Sequence, residues 1–270
     1  MVASTTKNIT ETLPQEMQQH TYSIMYEVEG THWWFAGRRR IIASFVEEIC
    51  RKLEQEKERP QQQDERVRIL DVGCGTGANL ELLGRYGAAE GVDVSPDALA
   101  FCRARGLQNV RQGAAEKLPY ADGSFDLVTA LDVVEHLDDD VAGLREMRRV
   151  LRVGGRALLF VPAFMFLWGV QDDVSHHRRR YTLPGLRRAL KEAGYEVERA
   201  TYANLSFFAP IFLGRIIMRA TGLRPASENN INVSALNGLL GRVLGAESSL
   251  LRRVNFPFGV SALCVARRVE

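Results

Sequence analysis

Three segments hold the residue types that chemistry needs. The first is Asp71-Val-Gly73-Cys-Gly75-Thr-Gly77, which closes a β-rich run and opens a helical one. Glycines there let the backbone approach a ligand and adopt angles closed to other residues. Asp93 ends the next β-rich run, 22 positions after Asp71. A carboxylate in that place can accept hydrogen bonds from both hydroxyls of a ribose. The second segment is Asp173-Val-Ser-His176-His177-Arg178-Arg179-Arg180-Tyr181, just after the fifth β-rich run. A basic run is commonly a solvated face. In an open α/β sheet, though, loops at strand carboxyl ends line the ligand crevice. Imidazole takes protons near neutral pH, and arginine forks such as Arg179 and Arg180 suit an anion. His177 is the first candidate for a general base. His136, in Glu-His-Leu after the fourth β-rich run, is the second. The third segment is His32-Trp33-Trp34-Phe35. Three consecutive aromatics cannot share one helix face. They either pack a cap helix or form a lid whose ring faces suit a cation.

The elements that must position these residues alternate. Strands read at Val67–Val72, Ala88–Val94, Val110–Gly113, Phe125–Leu131 and Arg156–Val161, with helices between them. Ser95 reads as an N-cap with Pro96 at the first helical position. Short strands alternating with helices imply a parallel sheet covered on both faces. A helix from Gly185, a strand near Glu196–Tyr202 and a last strand, Val260–Ala266, complete the pattern. The expected organisation is a polar segment over 1–20, a helical cap over 21–59, a linker over 60–66, a core over 67–203, a helical insertion over 204–258 and the last strand over 259–270.

The 270 residues are 46% hydrophobic and 25% charged, which excludes a disordered tail or a fibre. A formal charge of +2 gives no ground for nucleic-acid binding, and no stacking platform stands out beyond the tryptophans. The four cysteines form no C-x-x-C pair, so neither a metal nor a disulfide framework is expected, and a reducing cytoplasm fits. No apolar run reaches the roughly 20 residues of a membrane span.

Gly73-x-Gly75-x-x-Ala78 also satisfies a dinucleotide fingerprint, so a nicotinamide oxidoreductase is a formal rival. Asp71 before the glycines and the segments downstream oppose it. DVGCGTG, GVDVSPDAL, GAAEKLPYADGSFDLV, EHL and REMRRVLRVGG, in that order, resemble the class I S-adenosylmethionine-dependent methyltransferases over about residues 67–161. The resemblance implies a Rossmann-like, seven-stranded, mostly parallel sheet with S-adenosylmethionine as cofactor and S-adenosylhomocysteine as product. It implies Gly73, Gly75 and Gly77 against the methionyl part and Asp71 at the amino end. Asp93 would hold the ribose, Ala115 and Glu116 would lie near the adenine, and Leu131 and Asp132 would wall the methionine. Many relatives carry an aspartate where this chain has Ala114. Adenine recognition then rests on backbone groups, Glu116 or apolar stacking.

HWWF-x-GRR, HRRRYT and LNGLLGRVLGAESSLL further resemble a bacterial methyltransferase subgroup, of the type 11 or 12 kind, often found in polysaccharide and lipid-linked glycan gene sets. The expected activity is methylation of an oxygen or nitrogen of a small molecule, with an anionic or lipid-linked acceptor included. Trp33, Trp34, Phe35, His176, Arg179, Arg180 and Tyr181 are the expected acceptor-side residues. A non-catalytic cofactor-binding regulator is the alternative from another class. The apolar stretch Leu205–Ala220 would place Arg215 and Arg219 on one side and its Phe, Ile and Leu on the other. It reads as a lid or core helix, a dimer contact or a peripheral membrane contact, and the chain as a monomer or homodimer.

Overall fold

A computed structural model describes residues 19–56, 66–222 and 234–270. Of the expected N-terminal and linker segments, 1–18 and 57–65 lie outside the described residues. Seven strands form one sheet: β1 (Arg68–Val72), β2 (Ala88–Asp93), β3 (Val110–Gln112), β4 (Phe125–Leu131), β5 (Leu151–Pro162), β6 (Tyr195–Ala203) and β7 (Ser261–Arg268). Their spatial order is β3-β2-β1-β4-β5-β7-β6. Pairs from β3 to β5 run parallel, while β7 lies antiparallel between β5 and β6. This is the expected Rossmann-like α/β sheet. All seven residues of β4 are buried, because a central parallel strand is covered on both faces and reads as a continuous apolar run.

The helices are α1 (Gln19–Val28), α2 (Trp33–Gln55), α3 (Ala78–Leu83), α4 (Pro96–Ala104), α5 (Asp140–Val150), α6 (Val170–Val174), α7 (Leu183–Glu192), α8 (Phe208–Thr221) and α9 (Ser234–Leu251). Ser95 accepts from the Ala98 amide with Pro96 at the first position, as the sequence implies. Asp139 and Thr182 cap α5 and α7 in the same way. Side-chain caps of this kind satisfy backbone donors that the first helical turn leaves unpaired.

The expected helical cap divides into two parts with different duties. Helix α1 packs against α4, with the Tyr26 and Phe101 ring centroids 4.8 Å apart. Ile41, Ile42, Phe45, Val46, Ile49 and Leu53 of α2 join the main core and cover the sheet. They recur at helical spacing, so one face of α2 removes them together from water. Helix α2 runs to Gln55, and Glu56 beyond it pairs with Arg156 at 2.7 Å. The charged end of α2 is thus anchored helix, within the cap expected over 21–59. Gly37 faces α9 so closely that a Cβ would lie 2.7 Å from Leu244. Glycine is what lets the two helices meet there.

Candidate active site

The glycine segment turns tightly at the carboxyl end of β1. The amides of Gly73 and Cys74 both donate to the Val92 carbonyl. Asp93 accepts from the Gly75 amide at 2.8 Å and the Ser95 amide at 2.9 Å, drawing the loop against β2. Gly75 sits at φ +53, and a Cβ there would meet nothing within 4 Å. The loop thus opens onto free space. Asp71 is buried and accepts the Thr129 hydroxyl at 2.6 Å. Burial, aided by nearby Asp93, lifts its pKa to about 7 against the pull of Thr129. Ala115 and Leu131 are buried, and the Oε2 atom of Glu116 is buried without a hydrogen-bond partner. An amino group facing Glu116 would supply the donor that its Oε2 atom lacks. A nucleotide cofactor therefore fits the residues present.

Two contacts had no local sequence signal. Glu29, just after α1, accepts from the Thr76 hydroxyl within the glycine segment and from Arg105 at 2.5 Å. Arg105 also donates to the Thr76 carbonyl at 2.9 Å and lies over the Tyr26 ring. This latch fastens α1 to the cofactor loop. Arg38 of α2 reaches Asp132, after β4, at 2.6 Å, and its guanidinium lies 4.4 Å from the Phe160 ring centroid.

The histidine segment folds back on the end of β4. The Arg178 amide donates to the Glu135 carbonyl at 2.8 Å, and the Tyr181 hydroxyl donates to Asp140 at 2.7 Å. His177 and His136, far apart in the chain, come together with ring centroids 4.6 Å apart. Asp172, fully buried, lies 2.8 Å from Nδ1 of His177 and takes both Nε and Nη2 of Arg180. Burial pushes the Asp172 carboxyl up, but His177 and Arg180 outweigh it and hold its pKa at about 2. An ionised Asp172 fixes the proton of a neutral His177 on Nδ1, which leaves the Nε2 lone pair free to accept. Burial, reinforced by His177, lowers His136 to about 4. Glu135 is fully buried beside them. Burial, with the Asp132 carboxylate, raises its pKa well above the carboxylate range, against its own amide, Arg38 and Arg180.

Several expected acceptor-side residues serve the protein itself. The Arg180 fork is filled by Asp172 and the Ala163 carbonyl. Arg179 holds Asp140 and the carbonyls of Leu137 and Asp138. Tyr181 is buried on Asp140, and His176 sits at φ +54 in the turn. The forks read as anion binders thus brace the loop instead, because the acidic partners lie within reach and the loop must be pinned down. The aromatic triplet packs internally: Trp33 meets Phe207 at 4.4 Å, Trp34 meets Trp33 at 5.6 Å and Phe35 meets His32 at 5.7 Å. Trp33 thereby joins α2 to the 204–258 segment. Within that segment α8 inverts the usual placement. Buried Arg215 donates to the Leu167 carbonyl and Arg219 to the Trp168 carbonyl, whereas Leu213 and Ile217 are 56% and 48% exposed. No helix among the described residues is long and apolar enough to cross a membrane.

Comparison with known proteins gives a consistent picture. A family described as a methyltransferase domain matches residues 70–159. A demethylmenaquinone methyltransferase of Chlorobaculum parvum is 30% identical over 164 residues, spanning 59% of this chain and 67% of the relative. A ubiquinone biosynthesis O-methyltransferase of Xanthomonas oryzae pv. oryzae is 37% identical over 104 residues, 34% of this chain and 42% of the relative. Among solved structures, an S-adenosylmethionine-dependent methyltransferase of Thermotoga maritima superposes with a TM-score of 0.52 at 18% identity, over 92% of this chain and 100% of that one. The last likeness is one of fold.

Proposed function

The chain belongs to the class I S-adenosylmethionine-dependent methyltransferases, and within that family we propose that it methylates a hydroxyl oxygen of a small-molecule acceptor. S-adenosylmethionine is its cofactor, so the nicotinamide and non-catalytic readings fall away. When bound, the cofactor supplies a methyl group already activated on sulfur. The protein then has to align donor and acceptor and exclude water, and positioning of that kind is worth roughly 7–11 kcal/mol.

In this reading Asp93 holds the ribose hydroxyls, Glu116 faces the adenine amino group, and Asp71 serves the amino end. Gly73, Gly75 and Gly77 keep the loop low enough for contact. Leu131 and Asp132 border the methionine part, with Arg38 fixing Asp132.

The observation that carries the oxygen acceptor is the buried Asp172–His177 pair. A hydroxyl must lose its proton as the methyl arrives, and a base is worth roughly 10²–10⁴-fold. An amine that arrives deprotonated needs none. The relatives include an O-methyltransferase and an ajmaline N-methyltransferase, so family likeness alone does not choose. His177 takes the proton on Nε2, while Asp172 orients the ring and favours the imidazolium that forms. Arg180 acts through Asp172.

The test uses a panel of hydroxylated and amino acceptors with labelled cofactor. His177→Ala should lower turnover of the best hydroxyl acceptor by roughly 10²–10⁴-fold while cofactor affinity stays unchanged. Near wild-type turnover in a folded variant would remove His177 as the base.

The outward apolar face of α8 supports a second element of the proposal, contact with a membrane surface that presents a lipid-linked acceptor. Leu213, Ile216 and Ile217 point outward while both arginines are held by backbone carbonyls, so apolar burial is what would drive the contact. Co-sedimentation with phospholipid vesicles is expected, and recovery no higher than without vesicles would refute it.

A further inference from the structure

The two histidines and Glu135 do more than surround a proton. One donor atom from each of Glu135, His136 and His177 lies within 4.8 Å of the other two. Neither carboxylate oxygen of fully buried Glu135 has a hydrogen-bond partner. Burying a polar group without a partner is costly, and here the group faces two imidazoles.

The surroundings of the trio have the arrangement that holds metal ligands in place. His177 meets Asp172 through Nδ1, which leaves Nε2 for the cluster. His136 donates from its ring to the Ser175 carbonyl, which leaves its other nitrogen. Ligand imidazoles typically hold a carboxylate or carbonyl through their second nitrogen in this way. The charges around the trio also admit a cation. Glu135, Asp132 and Asp172 stand against Arg38 and Arg180, and Asp132 and Asp172 each pair with one of those arginines. Donors about 2.0–2.1 Å from a tetrahedral ion would lie roughly 3.4 Å apart, so small side-chain rotations close the present spacing.

We propose that Glu135, His136 and His177 form a binding site for one divalent transition-metal ion of the zinc or cobalt type, and that the bound ion inhibits methyl transfer. Two imidazoles and one carboxylate suit these ions over calcium or magnesium, which prefer all-oxygen sites. The inhibition rests on His177 being the base: an ion on Nε2 occupies the lone pair that must accept the acceptor's proton. Binding itself does not depend on that role. The ion neutralises Glu135 as an anion and supplies the partner that both of its oxygens lack.

The experiment reads metal binding and turnover separately. Chelator-treated protein is titrated with cobalt(II) and followed by its visible absorption, then with zinc(II) by calorimetry, both without acceptor. One equivalent should bind, with the intense cobalt bands of a four-coordinate site. Glu135→Gln and His136→Ala should each abolish those bands, and Asp172→Asn should weaken binding by roughly 10–100-fold. Thermal unfolding of each variant without metal reports whether it is folded. Since burial already favours the neutral form of Glu135, the glutamine variant should fold. Absence of saturable binding to wild type, or unchanged binding in both folded variants, overturns the site. Saturating zinc should suppress turnover, and chelator should restore it. Binding accompanied by faster turnover would overturn the inhibition and the base role together. Loss of the base role in the metal-free assay with His177→Ala would leave the cobalt result standing.

Discussion

The cofactor half and the acceptor half of this molecule are built on different principles. Around Gly73, Gly75 and Asp93 the site is made largely of backbone. Two amides donate to one carbonyl, one carboxylate holds two amides, and every residue lies at the end of β1 or β2. Around His177 it is made of side chains from distant segments: Asp172 behind the ring, Arg180 holding Asp172, and His136 beside it. A backbone cradle is specified by short local motifs. A side-chain cluster depends on which segments the fold brings together. The first tolerates little variation in geometry, and the second can change chemistry while the sheet stays the same.

If this division is real, damage on each side should have its own kinetic signature. The largest effect belongs to the acceptor half. His177→Ala should reduce kcat by roughly 10²–10⁴-fold with cofactor affinity preserved, read by single-turnover kinetics beside calorimetry. Next comes Asp93→Ala, which should weaken cofactor binding by about 2–3 kcal/mol through lost charge-assisted hydrogen bonds. Its kcat at saturating cofactor should stay within a few fold. Should Asp93→Ala abolish kcat instead, the two halves are coupled and the comparison breaks.

Smaller effects sharpen the boundary. Glu29→Ala removes the partner of Arg105 and Thr76 and should cost about 1–2 kcal/mol in urea unfolding. It should also speed hydrogen exchange in α1 while that of α5 stays unchanged. Uniform destabilisation across the chain would show that the latch is no separate device. The least perturbing change is Leu213→Ser with Ile217→Ser on the outward face of α8. Stability should move by no more than about 0.5 kcal/mol, whereas recovery on phospholipid vesicles should fall. A large loss of stability would mean that this face packs against protein.

The alternating strands, the glycine turn and Asp93 could be read from residue order because each obeys a local rule of periodicity, turn chemistry or capping. Ser95 with Pro96 is such a case, correct to the residue. The duty of α2 was less legible. Its apolar spacing announces a buried face without saying whether sheet or cofactor covers it. Arg179 and Arg180 were harder still. A basic run near a crevice suggests an anion, and only folding reveals that Asp140 and Asp172 already meet it. Glu29 gave no signal, since a lone glutamate before a glycine has many uses. The 204–258 segment was correctly read as helical where it is described, but nothing in its composition told which way the arginines of α8 would point. Residues 223–233 lie outside the described residues.

The register at the end of the sheet bears on how such a protein acquires new acceptors. Ala203, last in β6, pairs with Ser261, first in β7. Chain therefore leaves the sheet and returns to it at neighbouring points, a few ångströms apart across one ladder rung. The 57 residues between them form a closed excursion. Loop-closure entropy rises only slowly with length, so such an excursion can be lengthened, shortened or exchanged at little cost to the sheet. The close approach of Leu244 to Gly37 sets the limit on that freedom. A graft that brings a new α9 must bring a matching α2 surface, so the unit of exchange joins the start of the chain to its penultimate stretch and leaves the cofactor strands between them untouched.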